Sequence, residues 1–326
     1  MKNNPTCSIL SFDYLDFDVY VNTRSLYALA GYKILSPSSP YSSLDLLVVL
    51  RGIPTQCFAE FSGVLHVYDY VRELSVDYSQ YFPNAQETFY ISLVSPAHLC
   101  STSRFVYGYV PVIPAIWTSS RFSAVKDPKP VHIANYKPMN DDSYQQQLIK
   151  LIQQNTVIVY GAKWDRLNII AKPVSYLSAN SRLSKSSLCF GLMYPYQRGK
   201  SLSGRMWQAP LQGCLVISEA STNIFDCPGI IEVRKFSSGL FLQNADPHSL
   251  SRDASNFWFQ KTMKLAADLN LSLDLSRMPV VVFYSRFLLL KQHLTFCSDS
   301  YVFSPAKRFV SSLKYQIRSF VKNLLI

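Results

Sequence analysis

The sequence is poor in charge. Asp, Glu, Lys and Arg make up 16% of its 326 residues, against about 25% in an ordinary soluble domain. With hydrophobic residues at 48%, that balance excludes a disordered tail, which combines low hydrophobicity with high net charge. The seven cysteines (Cys7, Cys57, Cys100, Cys189, Cys214, Cys227 and Cys297) are scattered, odd in number and include no C-x-x-C pair. Neither a zinc site nor a disulfide framework is indicated, and a reducing cytoplasm is the expected setting. There is no run of about 18 apolar residues of the kind a spanning helix needs; the longest apolar stretch, Met278 to Leu290, is interrupted by Arg286. Asp13, Asp16 and Asp18 fall where the apolar region of a signal peptide would lie, so export by that route is not expected. H-E-x-x-H, G-x-x-x-x-G-K and G-x-G-x-x-G are all missing. The acidic pair Asp141 and Asp142 suits helix capping better than metal binding, so no metal site is expected.

The length suggests two domains at about 150 residues each. In the first hundred residues, Leu44 to Leu50, Gly63 to Val67 and Phe89 to Leu93 read as buried strands, because short apolar runs bounded by turn residues suit a covered sheet. The patches Arg72 to Gln80 and Phe82 to Gln86 between them read as helices, which makes an α/β domain. Ser119 to Pro130, with Pro128 and Pro130 among polar residues, reads as a linker. Beyond it, the strand Val131 to Ala134, a helix from Asp141 with Tyr144, Leu148, Leu151 and Ile152 on one face, and the strand Val157 to Tyr160 form a βαβ unit. A second unit runs through Leu188 to Met193, a helix from about Ser203 and the strand Leu215 to Ser218. The expected organisation is a first domain over 1–125, a second, doubly wound domain over 126–300 and a C-terminal helix over 301–326.

What is present in excess is positive charge: 32 Lys and Arg against 21 Asp and Glu, a net +11. Nucleic acid, a phosphorylated small molecule or a lipid surface would each answer to it. The sharpest local feature is the loop after Met193, which carries Arg198, Gly199, Lys200, Ser201, Ser203 and Gly204 and opens into a helix. In an open α/β sheet, ligands sit beyond the carboxyl ends of the strands, where a helix N-terminus offers free N–H groups and partial positive charge. A diphosphate fits there, with Arg198, Lys200 and Arg205 as charged donors and the glycines allowing close backbone approach. A solvated basic loop is the plainer reading of the same residues.

The segment Arg205-Met206-Trp207-Gln208-Ala209, followed by Gly213-Cys214-Leu215-Val216-Ile217, resembles the C-terminal nucleotide-sugar site of GT-B glycosyltransferases of the family 1 and family 4 type. There an arginine, an acidic residue and a Glu-Ala-x-x-x-Gly helix lead into an apolar strand. Val131 to Ala134, the helix through Gln145 to Ile152, and Val157 to Gly161 with Ala162, Lys163 and Trp164 are similar to the opening of that domain. The resemblance covers about residues 130 to 240. It implies two Rossmann-like domains with a cleft between them and a donor nucleoside diphosphate sugar on the second. It also implies a glycan or lipid-linked acceptor on the first and no cofactor or metal, the leaving diphosphate being neutralised by basic side chains and the helix terminus. The donor-side residues are then Lys163, Arg198, Lys200, Ser203, Gly204, Arg205, Gln208 and Glu219. Gln208 departs from the family, standing where a glutamate commonly holds the ribose hydroxyls, and Pro210 departs by placing a helix breaker inside the helix. Glu219 after its strand could contact ribose or sugar, or lie on the surface.

Lys163 could meet a phosphate or be solvated, and Trp164 suits the core better than a stacked base. His66, Asp69 and His98, with Asp77 beside them, are the candidates for a general base in the first domain, each weighed against a structural role. The C-terminal Phe309, Val310, Leu313, Ile317, Phe320, Val321 and Leu324 recur at helical spacing opposite lysines and arginines. That basic amphipathic helix either packs back on the first domain or lies on the inner face of an anionic membrane. Polysaccharide or glycoconjugate assembly in the cell envelope is the expected setting. The rivals are a fucosyltransferase-like member of the same class, a catalytically inactive GT-B scaffold, and a nucleic-acid-binding protein. The last lacks a motif and a concentrated basic patch, so no nucleic-acid partner is expected.

Overall fold

The computed structural model describes residues 4–12, 16–69, 76–93, 101–118, 126–139, 142–195, 198, 203–220, 222–236 and 246–300. Two parallel sheets organise it. The first contains β1 (Thr6–Leu10), β2 (Lys33–Leu35), β3 (Leu46–Val49), β4 (Val64–Asp69), β5 (Glu87–Ser92) and β6 (Ser103–Tyr107), in the spatial order β2-β1-β3-β4-β5-β6. All four residues of β3 are at most 1% exposed. A central parallel strand is covered on both faces and must be apolar throughout, which is why Leu44 to Leu50 reads as a strand from composition alone. The expected strands at 63–67 and 89–93 are β4 and β5. Among the described residues between them there is no helix at 82–86, and over 76–80 there is a 3-10 turn, Tyr78–Gln80, capped by the Asp77 carboxylate; residues 70–75 lie outside the described residues. Helix α1 (Phe17–Leu29) connects β1 to β2, and the short α2 (Pro114–Trp117) follows β6.

The second sheet contains β7 (Val131–Ile133), β8 (Ile158–Tyr160), β9 (Leu188–Phe190), β10 (Leu215–Glu219) and β11 (Ile230–Val233), in the order β11-β10-β9-β7-β8. Its helices are α3 (Ser143–Gln153), α4 (Tyr176–Lys185) and α5 (Gly204–Leu211). The cap of α3 is Asp142, whose carboxylate accepts from the Gln145 amide at 2.8 Å, one residue later than expected; Asp141 lies outside the described residues. Leu148, Leu151 and Ile152 are buried beneath α3. Helix α5 starts at Gly204 and ends one residue after Pro210. The proline therefore removes a hydrogen bond only from a last turn that stops in any case.

Two long helices follow, α6 (Pro247–Asp268) and α7 (Met278–Ser300). The Ser251 hydroxyl of α6 donates to the Leu211 carbonyl at the end of α5. Farther along α6, Thr262 Oγ1 accepts from the Val112 amide and donates to its carbonyl. Helix α7 packs on α1, with Ser25 and Ser285 hydroxyls 2.7 Å apart. Arg286, the residue that interrupts the apolar stretch, donates to the carbonyls of Ala115, Ile116 and Thr118 at the end of α2. A cation at a helix C-terminus satisfies carbonyls left over by the helix. No helix among the described residues is long and apolar enough to cross a membrane.

In each sheet the strand order reverses once, beside β1 in the first and beside β7 in the second. The chain exits β8 at Gly161, whose φ is +140° and where an added Cβ would lie 1.9 Å from the Ala134 carbonyl oxygen that follows β7. Gly161→Ala should therefore cost at least about 2 kcal/mol of stability, from strain and backbone displacement together. Urea unfolding of the variant measures it, and a midpoint equal to that of the parent would show that β7 and β8 can separate freely.

Candidate active site

Ligands of open parallel sheets lie beyond the carboxyl ends of the strands at the point where strand order reverses. Here both reversal points border one cleft of about 310 Å³. The first domain contributes Asp16, Asp18 and Val19 from the start of α1, with Tyr109. The second contributes Ile133, Ala134 and Asn135 after β7, Tyr160 and Gly161 after β8, and the first residues of α4 and α5.

Two helix N-termini meet there. Ser175 caps α4, accepting from the Ser178 amide at 3.3 Å, and its hydroxyl pairs with His293 Nδ1 of α7 at 2.6 Å. Ser203 occupies the cap position of α5, but its side chain makes no capping bond; it lines the cleft instead. Arg205, one residue into α5, donates through Nη1 to the Ile133 carbonyl at 2.9 Å and through Nη2 to the Leu192 carbonyl at 2.7 Å. Its Nε is buried with no hydrogen-bond partner. An unsatisfied buried donor is costly, and Arg205 is among the residues that line the cleft.

Asp18 faces these groups from the other domain and is 5% exposed. Gln208 Nε2 of α5 donates to Asp18 Oδ2 at 3.3 Å. A Cβ at Gly204 would come within 2.7 Å of the same oxygen, so the glycine makes room for a side-chain carboxyl of this chain. Burial raises the Asp18 pKa to about 7, helped by the charge of Asp16, while hydrogen bonds that include one from Tyr176 oppose the shift. Asp16 itself is paired with Arg51 at 3.2 Å.

The residues expected from sequence divide. Arg205, Ser203, Gly204 and Gln208 lie together on the cleft wall. Arg198 lies elsewhere: it donates to Asp142 Oδ2 at 2.7 Å, to Glu219 Oε1 at 2.9 Å and to the Met193 carbonyl at 3.2 Å, and its guanidinium lies over the Tyr144 ring. Glu219 is fully buried, neither on the surface nor in the cleft, and also accepts from the Met193 amide and the Ser218 hydroxyl. These three charged residues tie α3, the segment after β9 and the end of β10 together. Lys163 is exposed in a left-handed turn and is not among the residues lining the cleft. Trp164 is buried in the core and donates to the Ala134 carbonyl. Lys200 and Gly199 lie outside the described residues.

His66 is a core residue, 2% exposed, with Nδ1 2.7 Å from the Tyr27 hydroxyl and its ring against Phe89. Burial pushes its pKa down to about 3, which leaves it a poor proton acceptor at neutral pH. Asp69 ends β4, paired in register with Ser92, and its side chain lies outside the described residues, as does all of His98. Asp16, Asp18, Tyr109, Asn135, Ser175 and Tyr176 are cleft residues that motif reading missed. The signal for the two aspartates was their place after the first strand, at the reversal point of its sheet.

No protein-family model matches the sequence, and no curated protein matches it either. Among solved structures, the chain is similar to AviGT4, a glycosyltransferase involved in avilamycin A biosynthesis. The TM-score is 0.51 at 11% identity, covering 88% of this chain and 98% of that one. A DNA-modifying β-glucosyltransferase matches with TM-score 0.49 at 10% identity, over 80% of this chain and 96% of its own. An α-glucosyltransferase in complex with UDP and DNA matches with TM-score 0.46 at 11% identity, over 92% and 98%. The shared property is the fold: two Rossmann-like domains facing across a cleft, the GT-B architecture.

The Asp18 pKa carries a consequence for stability. Its folded value of about 7 lies above the ordinary 3.8, so between those values the folded state holds a proton that the unfolded chain releases. The resulting stabilisation is complete below the ordinary value and is lost as pH rises through about 7. Asp18→Asn should flatten that profile, matching the parent near pH 4 and melting more than about 4 °C above it near pH 8. Parallel melting curves across the range test this; identical profiles would mean that Asp18 titrates normally.

Proposed function

We propose that the protein is a glycosyltransferase moving a sugar from a nucleoside diphosphate sugar to an acceptor, with residues 126–300 on the donor side and 1–125 on the acceptor side. The observation carrying this reading is the cleft itself. Two helix N-termini and an arginine with a free buried donor come from one domain, and a proton-holding carboxyl from the other. Breaking the bond between the anomeric carbon and the β-phosphate oxygen leaves a diphosphate whose charge grows in the transition state. Donors already aimed at that charge lower the barrier. Arg205, the Ser203 hydroxyl and the amides of the first turn of α5 occupy that place. Asp18, ionised in part at neutral pH, takes the proton of the acceptor hydroxyl as its oxygen attacks the anomeric carbon. Gln208 orients Asp18 in this reading and does not hold ribose. Charge neutralisation by the protein makes the transfer metal-independent, so activity should survive EDTA.

Calorimetric titration with UDP, GDP and ADP tests the donor assignment. Arg205→Ala should weaken binding of the preferred nucleotide by about tenfold or more, the loss of one charge-assisted bond. Arg198→Ala should instead lower stability by about 3 kcal/mol, because it strands Asp142 and Glu219 in the interior, with nucleotide affinity retained in the folded fraction. Binding lost through Arg198 and untouched through Arg205 would reverse the two roles.

A glycan or lipid-linked acceptor, with assembly of envelope polysaccharide at the inner face of the membrane, belongs to the same proposal. Its support is the basic amphipathic pattern of residues 305–326, which lie outside the described residues. The full chain should sediment with anionic vesicles at low salt and a chain ending at Ser304 should not; equal sedimentation of the two would remove the segment from that role.

A further inference from the structure

Tyr109 lines both the cleft and a separate cup of about 60 Å³ between the end of β6, the connection from β10 to β11, and α6. The floor is aromatic: the Phe225 ring lies 6.2 Å from Tyr109 and 6.1 Å from Trp258, in edge-to-face contacts. At the rim stands Tyr107, 57% exposed, with its ring 6.5 Å from that of Phe225. Lys261 and Lys264 complete the wall, both exposed, and the Lys261 ammonium lies 5.1 Å from the centre of the Phe225 ring. Asp268 also lines the cup, so the cup carries a positive balance. The paired bonds between Thr262 and Val112 fasten α6 to the chain that leaves β6, so the two walls are held at a set spacing. Large aromatic rings are usually covered; here Tyr107 is left open on a cup that two lysines also line.

We propose that this cup is a second carbohydrate subsite, which takes a sugar unit of the acceptor bearing a carboxylate. The proposal rests on the glycosyl-transfer reading of the neighbouring cleft. A pyranose has an apolar C–H face that can lie on an open aromatic ring and a rim of hydroxyls that stays in water. The cup is too small for a whole sugar ring, so the ring rests on Tyr107 and only a substituent enters. A substituent received by two lysines is an anion, and on a sugar ring a carboxylate is of the right size. Tyr109, shared by both cavities, sets this unit one wall away from the site of transfer. Single-stranded nucleic acid also favours rings beside lysines, but it needs successive rings along a basic track. Here Tyr107 is the exposed ring of the cup, and Asp268 stands beside the two lysines, so the cup forms no basic track.

Calorimetric titration of the full chain with trigalacturonate, maltotriose and a short oligothymidylate tests the assignment. Trigalacturonate should bind at least about tenfold more tightly than maltotriose. Tyr107→Ala and Lys261→Gln should each weaken that binding about tenfold, while the affinity for the preferred nucleotide stays that of the parent. Tyr107 is exposed, so its variant keeps the fold. No binding of trigalacturonate, equal binding of the neutral sugar, indifference to Tyr107→Ala, or tighter binding of the oligonucleotide would each overturn the proposal. Nucleotide titration of the parent reports separately on the cleft: a chain that binds trigalacturonate through Tyr107 but no nucleotide keeps the subsite and loses the donor reading.

Discussion

A buried carboxyl of one domain set against the first turn of a helix of the other is the contact on which the cleft depends. Asp18 reaches the start of α5, where Gly204 leaves it space and Gln208 supplies a hydrogen bond. A helix N-terminus favours negative charge, and burial disfavours it. At Asp18 burial wins, and the carboxyl retains its proton up to about neutral pH. The same contact brings Ser203 and Arg205 to within one helical turn of a group that exchanges protons. The juxtaposition needs both reversal points to face each other, so neither sheet alone contains it.

Behind the cleft, a second set of charges has a different task. Arg198 joins the cap of α3 to the end of β10 through two carboxylates that are nearly or fully buried. Ions withdrawn from water are tolerated when each has its partners, and Glu219 has an amide, a hydroxyl and a guanidinium. The basic residues of this region therefore divide by environment: Arg198 is bound to acids of its own chain, and Arg205 to backbone carbonyls that leave Nε over.

The parallel sheets are legible in the sequence because a strand covered on both faces must be a continuous apolar run, as in Leu46 to Val49 and Leu188 to Phe190. The starts of α3 and α5 were also within a residue or two, since Asp142 and Ser203 are residue types that suit caps. What could not be read was direction. His66 carries a catalytic residue type, but it points into the core, and alternation along a fully buried strand gives no mark that separates inside from outside. Glu219 follows a strand and would ordinarily be solvated; its burial depends on Arg198, 21 residues away in sequence. Asp16 and Asp18 were visible as acids, yet their meaning required the order of strands in space, which local pattern does not carry.

Helix α7 closes over α1 through a contact between residues 260 positions apart, and Arg286 caps a helix that ends at Trp117. A chain made from its N-terminus therefore completes the first sheet long before the helix that covers it has been synthesised. During that interval the apolar face of α1 stands open to other chains. Contacts of such long range are slow to form, and an uncovered face of this kind is where association between nascent chains begins. Yield of soluble protein should thus respond to chaperones that hold the first domain until α7 arrives to cover it, and to the rate at which the second half is translated.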